Sequence, residues 1–294
     1  MSTETIKKPI AHRYDFVVLF DVENGNPNGD PDAGNAPRID PETQHGIITD
    51  VCIKRKIRNY VDMVKDGQPG YNILVKPDYD LNSKFEEAYD AEGLEKDKGK
   101  AVKTDALVKA RDYMCRNYFD VRTFGMVMNT GQNWCGKVTG PVQINFARSI
   151  SPIFTQEVSI TRQARTTAER TETGETEMGR KSIVPYALYR VEGFISPMQA
   201  QKVTGFSEED LSLLWEAIEN MFEHDHSAAR GKMAVRGLYI FEHETALGSC
   251  ASWRLFEKIV VEPKEDNKVP RAFSDYKVMI DENMPNGVKF ISRI

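Results

Sequence analysis

The feature that most constrains this chain is a ten-residue stretch, Asp21–Asp30, with the sequence DVENGNPNGD. It follows an apolar run, Phe16–Phe20, and precedes a basic segment, Cys52–Arg58. Asn and Gly accept left-handed backbone conformations that other residues resist, and they leave backbone N–H groups uncovered. The pattern predicts a strand that leaves the core, opens into an Asn/Gly loop and continues into a cationic helix. A polar loop beside cations suits a phosphate backbone better than an apolar ligand.

The composition limits the class of protein. The chain has 294 residues, 40% of them hydrophobic, which allows one elaborated domain or two small ones. The pI near 5.7 and net charge of −5 argue against a generic, histone-like nucleic-acid binder. A local cationic stripe nevertheless matters more for such binding than the total charge of the chain. We expect a cytoplasmic protein without membrane association, because no apolar run could span a bilayer and the N-terminus lacks the apolar part of a secretion signal. The four cysteines form no Cys-x-x-Cys pair, which fits reduced thiols and gives no zinc-site signal.

Hydrophobic periodicity predicts the order of helices and strands. Helices are predicted over 49–64 and after the N-cap Ser207, with Asp210 as an imperfect capping-box partner. Residues 23–45 form a long loop, and residues 66–117 form a helical insertion with a mobile, charged middle. The predicted strands cover 13–22, 119–128, 141–148, 185–195, 235–242 and 254–261. This order indicates an α+β fold with helices on one side of a ferredoxin-like or RNA-recognition-type sheet.

Residues 157–182 contain few large apolar side chains, and Thr, Arg and Glu dominate. Such a segment cannot bury a core of its own. Thr favours extended structure and Gly174 is suited to a hairpin tip, so we predict an extended hairpin that projects from the body. It is either a plain surface loop or an arm that touches nucleic acid or a neighbouring subunit.

Two segments carry candidate nucleic-acid contacts. Four cations within five positions, Lys54 to Arg58, repel one another unless they are solvated or paired with anions. Residues 122–128 partly match the RNA-recognition strand pattern, at Arg122, Phe124, Gly125 and Val127. The plainer alternatives are a solvated helix face and an ordinary apolar strand.

Three aspartates, Asp21, Asp30 and Asp32, flank the Asn/Gly loop. A metal-dependent nuclease needs clustered carboxylates to hold Mg²⁺ and to activate water. Asp in a loop rich in Pro, Gly and Asn more often serves turn geometry. We find no phosphate-loop or nucleophile-elbow motif, and we predict no metal and no cofactor.

Three motifs in this order, Asp21–Asp30, Asp120–Gly125 (DVRTFG) and Gly140–Gln143 (GPVQ), resemble the seventh CRISPR-associated (Cas) protein family. Its members are the backbone subunits of type I CRISPR surveillance (Cascade) complexes, and this chain most resembles the type I-C branch. The resemblance implies a single elaborated domain over 1–294. Its parts are an RNA-recognition-type (ferredoxin-like) palm, 11–65, 118–154 and 184–294, a helical fingers insertion, 66–117, and an extended β-hairpin thumb, 155–183.

The resemblance also implies a function without catalysis. Several copies stack as a helical filament on one CRISPR RNA and hold it for pairing with target DNA in antiviral defence. The implied partners are further copies of this chain, other Cascade subunits and a recruited helicase-nuclease. Guide binding is then independent of sequence, through phosphate and ribose. The candidate contacts are Asn24, Asn26, Asn28, Lys54, Arg55, Arg58, Arg122, Phe124, Arg162 and Arg165.

Two alternatives stay open from the sequence. The related type III backbone subunits cut target RNA with an Asp after the first strand, and Asp30 or Asp32 lies in a comparable region here. That alternative predicts cleavage dependent on Mg²⁺. The other is a structural subunit that binds only proteins, which predicts oligomers without RNA and no effect of neutralising the cations at 54, 55 and 58.

Overall fold

The computed structural model describes residues 8–77, 80–96, 104–162, 177–264 and 269–294. The strands are β1 (Tyr14–Gly25), β2 (Gly29–Asp30), β3 (Ala36–Pro37), β4 (His45–Ile48), β5 (Gly125–Met128), β6 (Gly136–Thr139), β7 (Val142–Ile144), β8 (Ala147–Pro152), β9 (Gln156–Arg162), β10 (Glu177–Ile195), β11 (Lys232–His243), β12 (Ile259–Pro263), β13 (Tyr276–Ile280) and β14 (Val288–Ser292). The helices are α1 (Asp50–Val64), α2 (Leu81–Ala91), α3 (Thr104–Asn117), α4 (Phe119–Phe124), α5 (Pro197–Gln199), α6 (Glu208–Asn220) and α7 (Ser252–Phe256). A π-helical turn, Ala200–Thr204, continues α5.

A large antiparallel sheet organises this mixed fold of helices and strands. Its order is β14-β11-β1-β10-β8-β4, with β7 and β9 also pairing with β10. In the chain, α1 lies between β1 and β8, and α6 lies between β10 and β11. If β1, β8, β10 and β11 are numbered one to four, their order across the sheet is 4-1-3-2.

Strand β1 lies at the centre of the sheet and is buried on both faces. Phe16 and Phe20 point towards the helices, where their rings meet those of Trp215 and Phe222 at 5.2 and 5.3 Å. The alternate residues, such as Leu19, enter a second cluster that includes residues of α7 and β12. This explains why the strand is an unbroken apolar run instead of an alternating one.

The second face carries a layer that the sequence analysis missed. Helix α7 and the β12–β13 pair cover it, so the prediction of helices on one side only is wrong. The prediction of one strand over 254–261 is also wrong, because the segment contains the end of α7 and the start of β12. Arg190 ties this layer to the sheet by donating to the carbonyls of Ile259 and Phe256 at 2.5 and 2.7 Å.

The predicted strand over 119–128 is corrected by the structure. Residues Phe119–Phe124 form α4, all of them buried, and only Gly125–Met128 form a strand. Gly125 ends the helix with a φ of +77°, and a Cβ there would lie 2.4 Å from backbone atoms of the β6–β7 turn. The helix persists because its polar side chains bind partners inside the fold, as described below.

Helices α2 and α3 occupy the segment predicted as a helical insertion. They bury their own cluster, with Phe85, Tyr89 and Met114 fully enclosed. Asp80 caps α2 by accepting hydrogen bonds from the backbone N–H groups of residues 82 and 83 at 3.2 and 3.3 Å. This cluster is separate from that of the main sheet, and it also includes buried residues of α4, β5 and β6, such as Val121, Met128 and Val138.

Strand β10 extends beyond the main sheet. Its first part, Glu177–Ile183, pairs with β9 as a two-stranded ribbon, and its second part pairs with β1, β7 and β8. The predicted hairpin tip, including Gly174, lies outside the described residues. We call the paired residues 156–162 and 177–183 the ribbon.

Candidate nucleic-acid interface

Close backbone packing fixes the start of the Asn/Gly loop. A Cβ added at Gly25 would lie 1.7 Å from the carbonyl oxygen of Arg230. Gly231 has a φ of +66°, and a Cβ there would lie 2.3 Å from the carbonyl oxygen of Glu23. Glycine is required at both places because two backbone segments touch. The loop is therefore held against the turn that precedes β11.

The three predicted asparagines have different tasks in the structure. Asn26 donates its backbone N–H to the carbonyl of Ala229, in the turn before β11, at 2.8 Å, and its side-chain N–H to the carbonyl of Asn35 at 2.7 Å. The side-chain oxygen of Asn28 accepts from the backbone and hydroxyl of Thr49 at 2.9 and 3.0 Å, so it holds the start of α1. Asn24 is exposed and left-handed, with a φ of +52°. Asn26 and Asn28 shape the loop, and Asn24 faces solvent.

The carboxylates around the loop have separate partners. Asp30 accepts from the backbone N–H of Asp32 at 3.1 Å and pairs with Arg38 at 3.3 Å. Asp21 is buried and accepts from Arg236 at 2.8 Å. Across the part of the chain that the structure describes, no three His, Cys, Asp or Glu residues form a group that could hold a metal ion. Asp30 therefore serves the turn geometry that its sequence context indicates.

One flank of α1 carries two of the predicted cations over an aromatic ring. Lys54 and Arg58, one helical turn apart, lie 5.6 and 5.3 Å from the centroid of Phe124. Lys54 also pairs with Asp50 at 2.8 Å. The two cationic side chains are 13% and 12% exposed. We call Lys54, Arg55 and Arg58 the open flank of α1, because each keeps part of its surface in contact with solvent.

Each guanidinium of the open flank has one strong partner inside the fold. Arg58 Nε donates to Asp120 at 2.9 Å, and Asp120 is 1% exposed. Arg55 Nη1 donates to the carbonyl of Val75 at 2.7 Å. Within the described ranges, Asp120 is the only carboxylate in ion-pair distance of Arg58, and it contacts the Nε atom. The edge formed by Nη1 and Nη2 of Arg58 therefore has no carboxylate partner among these residues. That edge has the geometry to grip a phosphate with two parallel hydrogen bonds.

Arg122 lies inside the fold, contrary to the predicted strand position. Its Nε and Nη2 bind both carboxylate oxygens of Asp210 at 3.0 and 2.7 Å. Its Nη1 donates to backbone carbonyls, that of Gly70 at 2.5 Å. The side chain is 6% exposed. All of its donors point inward, so a contact of Arg122 with RNA is not supported, and Phe124 serves as the buried ring beneath the open flank.

The partner of Arg122 belongs to the predicted capping box, which is confirmed. Ser207 Oγ accepts from the backbone N–H of Asp210 at 3.2 Å, and Asp210 accepts from the backbone N–H of Ser207 at 2.9 Å. The same carboxylate thus starts α6 and neutralises Arg122. This explains why α4 stays helical, since its arginine is anchored to a second helix.

The opposite flank of α1 is closed. Lys56 is 4% exposed and forms an ion pair with Asp225, which also pairs with Arg230. Burial is the main cause that lowers the pKa of Lys56 to about 8, and the charge of Arg230 acts in the same direction. Burial also raises the pKa of the Cys52 thiol. We call Cys52 and Lys56, with Asp225 and Arg230, the closed flank.

Of the last two predicted contacts, one lies on the ribbon. Arg162 ends β9, and its backbone is in register with Glu177. Arg165 lies outside the described residues. Contacts of both residues with RNA stay predictions.

Local sequence patterns did not indicate the residues that orient the site. Asp120 contributed to the prediction only as part of the DVRTFG motif, although it lies two residues before Arg122. Asp225 and Arg230 carried no local signal, because they lie 169 residues or more from the lysine they enclose. Arg38, which pairs with the nearby Asp30, was also missed.

The thiols and the helices add two observations. All four cysteines are free, and burial raises the pKa of Cys115 and Cys135 to about 12. These two thiols are therefore protonated and unreactive at neutral pH. Among the helices that the structure describes, none is both long and apolar enough to cross a membrane.

Comparison with known proteins identifies the family. The family model described as CRISPR-associated protein Cas7 matches residues 12–281. The chain therefore belongs to the Cas7 family, as the motifs predicted. The match gives no subtype, so the type I-C assignment stays a prediction.

Individual relatives are more distant or match over shorter segments. A CRISPR-associated protein Cas7 of Haloferax volcanii is 43% identical over 65 residues, which are 22% of this chain and 18% of that protein. A chain of a CRISPR RNA-guided surveillance complex, in a pre-nicking state, is 13% identical, with 78% of this chain and 75% of that chain covered and a TM-score of 0.48. A chain of a type III-B Cmr-beta complex bound to cognate target RNA is 11% identical, with 78% and 61% covered and a TM-score of 0.42.

Proposed function

We propose that this chain is a CRISPR RNA-binding backbone subunit of a Cascade complex and has no catalytic role. Several copies form a helical filament along one guide RNA and leave its bases free to pair with target DNA. The observation that carries this proposal is the Cas7 family match over 12–281. The open flank supports it, because it sets three cations beside the loop that Asn28 ties to the start of α1.

The chemistry of the open flank suits a backbone contact that ignores sequence. Cations attract phosphate groups whatever the base, and a guanidinium edge can bind two phosphate oxygens at once. Lys54, Arg55 and Arg58 are the proposed phosphate contacts on the helix, and Asn24 is the proposed contact on the loop. Arg162 and Arg165 are the proposed contacts on the thumb.

The proposed architecture follows the family. The palm comprises 11–65, 118–154 and 184–294, and the strand order 4-1-3-2 with α1 and α6 supports a ferredoxin-like arrangement. The cluster that α2 and α3 bury, which is distinct from the main-sheet core although α4, β5 and β6 contribute to it, supports a fingers unit over 66–117. The ribbon supports a thumb over 155–183.

The proposed context is the cytoplasm, in a type I-C complex. Other Cascade subunits complete the particle there, and a helicase-nuclease is recruited to it. The four free thiols agree with a reducing compartment.

The alternative of a metal-dependent ribonuclease places its chemistry on Asp30 or Asp32. The pairing of Asp30 with Arg38 and with its own turn favours the role without cleavage.

Purification from cells that express a CRISPR array tests the proposal. We expect a large particle that contains guide RNA flanked by repeat sequence, detected by its absorbance ratio at 260 and 280 nm and by sequencing of the RNA. The triple variant Lys54→Ala, Arg55→Ala, Arg58→Ala should lose most of the RNA. A matched triple variant, Arg254→Ala, Lys277→Ala, Lys289→Ala, removes the same charge from exposed positions of α7, β13 and β14 and should retain it.

Three results would contradict the proposal. A particle free of nucleic acid would support the subunit that binds only proteins. Equal RNA loss in both triple variants would mean that total charge, not the open flank, holds the RNA. Cleavage of bound RNA on adding Mg²⁺, abolished by Asp30→Ala or Asp32→Ala, would support the ribonuclease.

A further inference from the structure

The buried carboxylate of Asp120 is fixed by the fold before it meets any cation. Its Oδ1 accepts from the backbone N–H of Leu74 at 2.9 Å, and its Oδ2 accepts from the backbone N–H of Val75 at 3.1 Å. These two bonds set the plane of the carboxylate and join α4 to the segment that follows α1.

Asp120 and Phe124 together determine the orientation of Arg58. Oδ2 of Asp120 accepts from Arg58 Nε at 2.9 Å, and the ring of Phe124 lies 5.3 Å from the Arg58 Cζ atom. One contact fixes an edge of the guanidinium and the other fixes its face. The remaining edge, Nη1 and Nη2, is thereby directed before any ligand arrives, which reduces the side-chain entropy lost on binding.

The same carboxylate also acts on the second arginine of the open flank. Val75 donates its N–H to Asp120 and accepts from Arg55 Nη1 at 2.7 Å through its carbonyl. The position of the 74–75 segment therefore sets where Arg55 can anchor. One residue in the core thus controls two of the three cations.

A comparison with Arg122 shows that this arrangement leaves donors available. Both arginines use Nε on a buried aspartate that also accepts backbone N–H bonds, Asp120 for Arg58 and Asp210 for Arg122. Arg122 additionally places Nη1 and Nη2 on protein oxygens. In the described residues, Arg58 has no second carboxylate partner. An arginine with a purely structural role would donate all of its N–H groups to acceptors inside the protein, as Arg122 does.

We propose that Asp120 is a positioning residue, which holds the guanidinium of Arg58 and, through Val75, that of Arg55 in the geometry to grip one backbone phosphate of the RNA. This inference rests on the proposed function. It adds that phosphate binding on the open flank depends on a carboxylate that never touches the RNA.

A double-mutant cycle tests the proposal. Binding of the purified protein to an unstructured single-stranded RNA of mixed sequence is measured by fluorescence anisotropy over a series of salt concentrations, for wild type, Asp120→Asn, Arg58→Ala and the double variant. We expect either single variant to weaken binding by roughly tenfold and the double variant to weaken it by less than the product of the two losses, because only the effect of Asp120 on Arg55 remains once Arg58 is gone. The slope of log affinity against log salt should fall by about one in Arg58→Ala.

Asp210→Asn is the matched control for fold stability. It alters an aspartate of equal burial that also holds an arginine and a backbone N–H. It should lower the urea midpoint at least as much as Asp120→Asn and leave RNA affinity of the folded protein within about twofold of wild type. A second readout is the Arg58 Nε–H signal in NMR spectra of the RNA-free protein. It should be slow to exchange in wild type and in Asp210→Asn, and fast in Asp120→Asn.

The outcomes distinguish failure of the positioning role from failure of the proposed function. RNA binding by wild type that weakens in Arg58→Ala but not in Asp120→Asn would overturn the positioning role and leave the proposed function intact. Additive losses in the double variant, or an equal loss in Asp210→Asn, would also overturn it. Wild-type protein that binds no RNA would overturn the proposed function, and the positioning role with it.

Discussion

The two flanks of α1 both carry cationic side chains, but those of the open flank are partly exposed to solvent and that of Lys56 on the closed flank is buried. On the open flank, the side chains of Lys54 and Arg58 lie over a ring and stay 13% and 12% exposed. On the closed flank, Lys56 lies two residues from Lys54 in sequence but is enclosed with Asp225 and Arg230. Helical geometry separates them, since neighbouring positions point about 100° apart. A basic run in a sequence therefore overstates the charge that a ligand can reach.

The first way to sharpen this comparison is to remove a fully enclosed cation. Arg122→Met leaves Asp210 charged and buried without its main partner. We expect the free energy of unfolding to fall by about 3–5 kcal/mol in urea denaturation. Arg58→Met also removes the arginine of a buried aspartate, but Asp120 keeps its two backbone N–H donors and Arg58 is partly at the surface, so the loss should be smaller, about 1–3 kcal/mol. Equal losses in the two variants would show that the open flank is as structural as the interior.

The second way uses pH on the closed flank. Burial lowers the pKa of Lys56 to about 8 from its ordinary value of 10.5. Between these two values the unfolded chain retains a proton that the folded protein has released, so stability rises with pH. Relative to Lys56→Met, wild type should gain up to about 1.4 kcal/mol per pH unit over this window. Urea denaturation of both proteins at several pH values from 7 to about 10.5 measures the difference, and a flat or falling difference would contradict the expectation.

The smallest expected effect on stability concerns the open flank itself. Lys54→Ala removes an ion pair with Asp50 at i, i+4 spacing, which is worth about 0.3–0.5 kcal/mol. The free energy of unfolding should change by no more than about this amount. RNA affinity should nevertheless fall, with a salt slope lower by about one. If the free energy of unfolding fell by several kcal/mol, Lys54 would be as structural as Lys56, and the distinction between the two flanks would be wrong.

The parts of the fold that the sequence predicted are those with a strong local pattern. The apolar run of β1, the i, i+4 spacing of Ile53 and Ile57 in α1, and the capping box at Ser207 all appear as expected. Segment 119–124 could not be predicted in this way, because its local pattern fits a strand and the helix depends on an ion pair 88 residues away. The layer of α7 and β12 was missed for the same reason, since its partners lie on a distant strand.

The candidate site shows the same limit at the level of single residues. The sequence predicted that Arg58 is a cation near the Asn/Gly loop. It could not predict the direction of the guanidinium, which depends on Asp120, 62 residues further along. Nor could the sequence predict that Lys56 is buried, because Asp225 and Arg230, which enclose it, belong to a distant turn. Side-chain identity is local information, whereas the accessibility of a charge is set by tertiary structure.

Strand β10 gives the molecule a mechanical connection. Its 19 residues run without interruption from the ribbon into the main sheet, over roughly 60 Å. The ribbon joins the sheet at Val184, whose register partner is Gly25, the residue at which the Asn/Gly loop begins. A force on the outer end of the ribbon is therefore transmitted along one continuous strand to a position beside that loop. In the proposed filament, a force on the ribbon of one subunit would therefore act on the Asn/Gly loop of the same subunit, which is proposed to contact the RNA.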